Sequence, residues 1–137
     1  MKDLFDLTDK VIVITGAGGV LCGAMAKALA KVGAKIAVLD LIEAAARKVV
    51  EEIKSDGGTA IAVKCNVLKK DTLQTAKEKI ISEFGKIDIL INGAGGNKKE
   101  ATTSADLSFF DLPQEAVRFV FDLNFIGTLL AAQVFGK

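Results

Sequence analysis

Short apolar runs alternate with amphipathic segments along the first two thirds of the chain. Four runs rich in branched residues are typical of strands, at residues 10–15, 35–40, 59–65 and 87–91. Between them, three segments carry apolar residues at helical spacing, and glycine follows each one. Strict alternation of strand and helix predicts parallel strands joined by right-handed crossovers. We therefore expect an α/β fold with a doubly wound parallel sheet and a ligand at the carboxyl ends of its strands.

The last quarter of the chain departs from this pattern. Residues 97–111 form a long irregular stretch, polar first and then aromatic, and Pro113 opens a helix that runs nearly to Lys137. This helix is apolar on nearly every side, so it requires burial on every side. Four strands and three helices cannot cover it, which indicates further chain, a partner subunit or both. Asp122, Asn124 and Gln133 argue against a membrane span.

Composition removes several classes of function. The 137 residues carry a net charge of +1, which gives no basic field for nucleic acid, and they include no His and no Tyr. Without imidazole there is no His-ligated metal site and no Ser-His-Asp triad, and we predict no metal. Cys22 and Cys65 form no disulfide framework, and the first ten residues lack the apolar core of a signal peptide. We expect a cytoplasmic protein and read both cysteines as buried packing residues.

A glycine-rich turn stands between the first strand and the first helix. Its sequence is Thr15-Gly16-Ala17-Gly18-Gly19-Val20-Leu21, and such glycines let backbone N–H groups approach a pyrophosphate at a helix N-terminus. A tight turn without a ligand is the alternative. Asp40 ends the second strand at the offset of an acid that binds the adenosine ribose, although it could instead cap the next helix. A carboxylate there repels a 2′-phosphate, so NAD is favoured over NADP.

Together these segments resemble the N-terminal part of the short-chain dehydrogenase/reductase family, over essentially the whole chain. That family carries a T-G-x-x-x-G-x-G turn, an acid after the second strand when NAD is used, an Asp-Val-like pair, an N-N-A-G segment and an Asn in the following helix. Here the matching positions are Thr15-Gly16, Asp40, Asn66-Val67, Asn92-Gly93-Ala94-Gly95 and Asn124. The chain departs from the pattern at Val20, Cys22, Asn66 and Gly93. The fold implied is a Rossmann sheet that is incomplete on its C-terminal side.

The resemblance implies a role for each matching residue. Gly16, Gly18, Gly19 and Leu21 would form the pyrophosphate turn, and Asn66 and Val67 would flank the adenine. Asn92, Ala94 and Gly95 would border the ribose and the sheet, and Asn124 would hold a water in the proton relay. For Asn92 and Asn124 the alternative is an amide that satisfies backbone groups. The last helix, near residues 115–136, would form the interface of a homo-dimer or homo-tetramer.

The residues that perform the family's reaction do not occur in this sequence. The resemblance implies a Ser and a Tyr-x-x-x-Lys motif after the next strand, and the chain has no Tyr. We therefore expect residues 1–137 to be the NAD-binding, N-terminal part of a longer single-domain enzyme, inactive alone. The enzyme would interconvert a secondary alcohol and a ketone. Alternatives are a non-catalytic dinucleotide-binding module and, less favoured, a sugar-nucleotide epimerase.

The substrate expectation rests on three segments. TGAGGVLC, INGAGGN and LNFIGTLL together resemble the D-mannonate oxidoreductase-type sugar-acid dehydrogenases, a subset of the family, which implies D-mannonate or fructuronate as a small-molecule substrate. Lys98 and Lys99 follow the fourth strand on the ligand side and could attract a substrate carboxylate. The alternative is a solvated loop tip.

Overall fold

The computed structural model describes residues 4–137; the expectation about a signal peptide falls partly on residues 1–3, which lie outside this range. Parallel strands and helices alternate along the chain: β1 Val11–Thr15, α1 Val20–Lys31, β2 Lys35–Asp40, α2 Glu43–Ser55, β3 Thr59–Lys64, α3 Lys70–Phe84 and β4 Ile89–Asn92. The helical segments α4 Gln114–Phe121 and α5 Gly127–Phe135 follow. The strand order is β3-β2-β1-β4, with every pair parallel. The predicted α/β doubly wound sheet is confirmed.

Helices cover both faces of this sheet. One core joins β1 and β2 to α1 and α2, with Ile14, Ala26 and Ile53 among its buried residues. The other core joins the opposite face to α3 and α5, with Leu73 and Phe135 among its members. Because β1 is covered on both faces, all five of its residues are buried. The two-sided burial explains why the strands are continuous apolar runs rather than alternating ones.

The strand order reverses direction next to β1. From β1 the chain moves outward through β2 to β3 and then returns to place β4 on the other side of β1. The register sets Thr15, the last residue of β1, beside Leu39 and Asn92. A reversal of this kind opens a crevice at the carboxyl ends of the central strands, where open α/β sheets bind their ligands. The sheet thus fixes the place of the site.

A π-helical turn interrupts the last helix. This turn, Asp122–Ile126, separates α4 from α5, and the N–H of Gly127 donates to the carbonyl of Asp122, five residues earlier. The sequence pattern predicted one uninterrupted helix, because a π turn has no propensity signal of its own. π turns inside helices occur frequently at functional sites. The π turn is therefore consistent with a functional residue in the middle of the last helix.

The last helix, Gln114–Phe135, presents much of its apolar surface to solvent in the described chain. Phe121 is 61% exposed and Phe125 is 57% exposed, and their rings stack with centroids 5.4 Å apart. By length and composition alone this helix could cross a membrane, and 17% of its apolar window is buried. Asp122 lies midway along it, where a hydrocarbon core disfavours charge. As expected, four strands and three helices leave part of its apolar surface uncovered.

Candidate functional site

A cleft of about 350 Å³ opens at the carboxyl ends of β1, β2 and β4. Seven of the residues predicted for the site line it: Gly16, Gly19, Asp40, Asn66, Val67, Ala94 and Gly95. The sequence assigned no binding role to the other lining residues: Thr15, Leu39, Leu41, Ile42, Cys65, Gly93 and Leu123. Backbone and apolar groups therefore make most of the wall. Among these lining residues Asp40 is the carboxylate, and none is Lys or Arg.

Glycine is required where the turn meets the loop after β4. Gly16 adopts a φ of +67°, in the left-handed region that favours glycine. A Cβ atom at this position would also lie 2.8 Å from the Cα atom of Ala94. The turn therefore packs directly against the N-G-A-G segment, with no room for a side chain between them. This contact brings two of the predicted motifs together on the floor of the cleft.

The hydroxyl of Thr15 joins the same two segments by hydrogen bonds. Thr15 is 1% exposed, and its Oγ1 accepts the backbone N–H groups of Gly93 and Ala94, both at 3.1 Å. Two part-buried donors thus depend on one side chain. Sequence reasoning quoted Thr15 within the motif but gave it no role of its own. A polar residue at the end of a buried strand was the available signal.

The N-terminus of α1 faces no capping side chain. Gly19 is the N-cap residue of α1, has extended backbone angles and makes no side-chain cap. The N–H of Gly19 donates to the carbonyl of Gly16 at 3.2 Å, which closes the turn. An uncapped helix N-terminus holds free N–H donors and a partial positive charge, the arrangement that binds phosphate. Leu21 lies in this first turn, although its side chain does not line the cleft.

Asp40 uses both carboxylate oxygens on the backbone. Its Oδ2 accepts the N–H of Gly18 at 2.9 Å, and its Oδ1 accepts the N–H of Ile42 at 2.9 Å. Asp40 lines the cleft and accepts the N–H of Ile42, the N-cap residue of α2, but it makes no side-chain cap of that helix. Gly18 itself does not line the cleft. The carboxylate retains further lone pairs for a ligand hydroxyl.

Asn66 and Val67 lie at the far end of the cleft, after β3. The Oδ1 of Asn66 accepts the N–H of Leu68 at 3.0 Å, and its backbone N–H donates to the hydroxyl of Thr72 at 3.1 Å. Burial raises the pKa of the neighbouring Cys65 thiol, which keeps it protonated and unreactive. Val67 packs against Gly127 of the last helix, where a Cβ atom would lie 2.8 Å from its Cγ2. The last helix therefore backs this wall.

Asn124 lies within the π-helical turn and binds the segment after β4. Its amide donates to the carbonyl of Gly96 at 2.7 Å and to that of Val120 at 2.8 Å. Its Oδ1 accepts the N–H of Gly96 at 3.1 Å. The amide therefore satisfies backbone groups, as its alternative reading expected, although the residue is exposed rather than buried. The hydroxyl of Thr128 donates to the carbonyl of Asn124 at 2.9 Å.

The remaining predicted residues lie outside the cleft wall. The ammonium of Lys98 lies 5.2 Å from the centroid of the Phe119 ring, a cation–π contact with the last helix. Lys99 begins a short 3₁₀ helix, Lys99–Ala101, and is exposed. Asn92 ends β4 and is exposed as well. Within residues 4–137 there is also no group of three or more His, Cys, Asp or Glu side chains placed to hold a metal ion.

The fold and the cleft together define a class of protein. A parallel α/β sheet with a glycine turn at the head of its first helix, and an acid at the end of its second strand, is the frame of a dinucleotide-binding domain. A family model described as short chain dehydrogenase matches residues 10–137. The chain therefore belongs to the short chain dehydrogenase family.

Two curated relatives show how far the likeness extends. An uncharacterized oxidoreductase of Haemophilus influenzae is 48% identical over an alignment of 142 positions, which covers 96% of this chain and 50% of the relative. The 5-keto-D-gluconate 5-reductase of Escherichia coli K12 is 32% identical over 133 residues, 97% of this chain and 50% of the relative. The chain thus spans about half the length of the curated relatives it matches.

Solved structures agree with the fold. The crystal structure of a proposed D-mannonate oxidoreductase from Haemophilus influenza with bound NAD superposes with a TM-score of 0.90 at 48% identity, covering 96% of this chain and 51% of that one. The structure of 7 alpha-hydroxysteroid dehydrogenase with NADH and 7-oxo glycochenodeoxycholic acid superposes with a TM-score of 0.83 at 32% identity, covering 98% and 51%. Both neighbours hold a nicotinamide dinucleotide.

Proposed function

We propose that this chain is the NAD-binding, N-terminal part of an oxidoreductase that interconverts a secondary alcohol and a ketone. One observation carries the proposal: the cleft at the strand ends joins the uncapped N-terminus of α1 to the carboxylate of Asp40. The first group suits a pyrophosphate and the second suits ribose hydroxyls. The NAD-bound Haemophilus neighbour, at 48% identity, supports the same reading.

The residues present fit NAD. Gly16 and Gly19 leave backbone surface where the dinucleotide's phosphates would lie, and Asp40 would bind the adenosine ribose. Asn66 and Val67 would flank the adenine, with Asn66 donating from the amide nitrogen that its own turn does not use. Ala94 and Gly95 would border the second ribose. The chemistry that NAD supplies when bound is acceptance of a hydride from an alcohol carbon and its return to a ketone.

Charge in the cleft favours NAD over NADP. Asp40 would repel a 2′-phosphate, and no Lys or Arg lines the described cleft to neutralise one. The side chains after Asp40 are Leu41 and Ile42, both exposed and apolar. These two side chains give the adenosine an apolar contact surface, and they supply no cation for a 2′-phosphate. Selectivity therefore rests on one carboxylate.

We propose a sugar acid, such as D-mannonate or fructuronate, as the substrate. The name of the Haemophilus neighbour and the 5-keto-D-gluconate reductase of Escherichia coli support this class. Lys98 and Lys99 stand between β4 and the last helix, and one of them would attract the substrate carboxylate. Lys98 would bind the substrate carboxylate only if its cation–π contact with Phe119 is broken.

Asn124 would support the proton relay of the complete enzyme. Its amide joins the last helix to Gly96 through two hydrogen bonds, and its carbonyl accepts the hydroxyl of Thr128. The Ser and the Tyr-x-x-x-Lys motif that exchange the substrate proton in this family do not occur among the 137 residues, which include no Tyr. We therefore propose that a longer polypeptide carries them, and that this chain alone binds cofactor without turnover.

We also propose a cytoplasmic homo-dimer or homo-tetramer, assembled through the last helix. The exposed stacked pair Phe121 and Phe125 supports an interface there. The small net charge of +1 supports neither nucleic acid nor a membrane surface as a partner.

Fluorescence titration of the full-length gene product with NADH and NADPH tests the function. We expect NADH to bind more tightly, and Asp40→Ala to narrow the gap. Oxidation of D-mannonate by the same protein, followed as NADH absorbance, tests the substrate. Tighter binding of NADPH would contradict the cofactor assignment, whereas NADH binding without turnover of any sugar acid would favour a non-catalytic binding module.

A further inference from the structure

The carboxylate of Asp40 connects two segments that are remote in sequence. Gly18, whose N–H donates to Oδ2 at 2.9 Å, lies 22 positions earlier, in the turn between β1 and α1. The same carboxylate holds the N–H of Ile42 through its other oxygen, at the end of its own strand. Asp40 therefore joins the turn between β1 and α1 to the segment between β2 and α2.

The contact with Asp40 leaves no room for a side chain at position 18. A Cβ atom at position 18 would lie 2.9 Å from the Oδ2 of Asp40 and 2.7 Å from the Cβ of Ala45. Gly18 does not line the cleft, in contrast to Gly16 and Gly19. The absence of a side chain at position 18 thus serves the approach of the turn to Asp40 and α2.

All three N–H groups inside the turn bind protein atoms. Ala17 donates to the carbonyl of Leu39 at 3.0 Å, Gly18 donates to Asp40, and Gly19 donates to the carbonyl of Gly16. The donors left for a phosphate are those of the first turn of α1, which follows at once. The direction of these N–H groups depends on the backbone conformation of the turn that precedes α1. Asp40 fixes that conformation through its side-chain hydrogen bond with Gly18.

We propose that Asp40 is a positioning residue for the phosphate-binding turn, acting on the pyrophosphate of the dinucleotide through Gly18. This role rests on the proposed NAD function and adds to the binding of ribose hydroxyls. The two roles predict effects of opposite sign on a ligand that has phosphate but no ribose. As a bare charge, Asp40 repels such a ligand, so its removal would strengthen binding. As a positioning residue, its removal weakens binding.

Inorganic pyrophosphate, in competition with NADH on the full-length protein, is the probe. For Asp40→Ala we expect the pyrophosphate dissociation constant to rise about three- to tenfold, because a charge-assisted hydrogen bond that orients the turn is lost. Glu43→Ala is the matched control: it removes a nearby carboxylate that pairs with Arg47 and does not touch the turn. We expect it to leave pyrophosphate binding unchanged or slightly tighter.

Gly18→Ala perturbs the contact between Gly18 and Asp40 at the glycine instead of the carboxylate. With Asp40 present, the added methyl meets both the carboxylate and the Cβ of Ala45, so pyrophosphate binding weakens. In the Asp40→Ala background only the contact with Ala45 remains, so the same substitution has a smaller effect. Equal fold-changes in both backgrounds would overturn the proposal. Thermal unfolding of each variant confirms that it is folded. In addition, the amide of Gly18 in the ligand-free protein exchanges its hydrogen faster in Asp40→Ala than in Glu43→Ala.

The outcomes distinguish failure of the positioning role of Asp40 from failure of the proposed NAD function. Weaker NADH binding by Asp40→Ala, with unchanged or tighter pyrophosphate binding, would overturn the positioning role and leave the NAD function standing. A wild-type protein that binds pyrophosphate but not NADH would overturn both. Weaker binding of both ligands by Asp40→Ala alone, with Glu43→Ala unaffected, supports both.

Discussion

The Sγ atom of Cys22 fills the space that the first side-chain atom of any residue at position 93 would need. Cys22 is buried in α1, and Gly93 follows β4 on the floor of the cleft. In the pattern of the family, glycine stands at the first position and asparagine at the second. A side chain at position 93 therefore conflicts with the thiol at position 22, and we expect these two departures to be energetically coupled.

A double-mutant cycle measures this coupling. Gly93→Ala alone should lower the free energy of unfolding by roughly 1–3 kcal/mol, because the thiol must move and the carbonyl of Thr15 lies 2.7 Å from the new atom. Cys22→Gly alone should also destabilise, through a cavity and added helix flexibility. In the double variant the loss should fall short of the sum by about 0.5 kcal/mol or more. Urea unfolding supplies all four values, and strict additivity would show that the two positions are independent.

Thr15 is predicted to stabilise the floor of the cleft through its hydroxyl. Thr15→Val keeps the shape but leaves the N–H groups of Gly93 and Ala94 without their acceptor, so stability should fall by about 1–3 kcal/mol for each group that water cannot reach. Thr15→Ser should recover most of the loss, and NADH affinity should follow the same order. Thr59→Val, at an exposed position on β3, is the control. If Thr15→Val were as stable as this control, the hydroxyl would have no structural role.

The sequence predicted the sheet well because strands and helix ends are specified by residues close together in the chain. The two central strands, β1 and β2, are runs of buried residues, and glycine ends α3 at Gly85, whose φ is +81°. The predicted start of β4 at Ile87 was early, since β4 begins at Ile89 and Asp88 instead accepts the N–H of Val11. That hydrogen bond joins residues 77 positions apart, and no local pattern reports it.

The site was predicted less completely, for a related reason. Motif spacing found Gly16 and Asp40 because strand ends meet at one edge of a parallel sheet. It could not show that Gly18 turns its N–H toward Asp40, or that Lys98 rests on Phe119. These contacts depend on the relative position of segments after folding, which residue types alone do not specify.

Stability should fall in acid partly through Asp88. The backbone N–H of Val11 and the ammonium of Lys86 hold the pKa of this carboxyl below its ordinary value. A lowered folded-state pKa adds stability above the unfolded-state pKa, and this stability is lost as the pH falls through the folded-state value. Asp88→Asn should therefore be less stable at neutral pH and should show a shallower loss of stability below about pH 4.

Urea unfolding at a series of pH values from neutral to acid measures this dependence. Glu51→Gln, which changes an exposed carboxylate on α2, is the control and should keep the wild-type slope. A wild-type slope in Asp88→Asn would show that other carboxylates dominate the acid transition.

Self-association should depend on the apolar face of the last helix. Phe125→Glu places a charge beside Phe121 on this face, so the full-length protein should shift toward smaller species in light scattering. Phe110→Glu is the control, because Phe110 is 92% exposed and lies outside the last helix. A monomeric wild-type protein, or equal effects of both substitutions, would contradict the proposed interface.

The π-helical turn at Asp122–Ile126 also sets the rotational phase of α5. A π turn accommodates one residue more than a regular helical turn, and one residue corresponds to about 100° of rotation about the helix axis. Ala131 and Phe135 meet the core beside α3 only with that extra residue in place. Deleting one residue from the turn would straighten the helix and swing these side chains away from their neighbours. Insertions and deletions here therefore act as rotations of everything that follows, whatever residue type is lost.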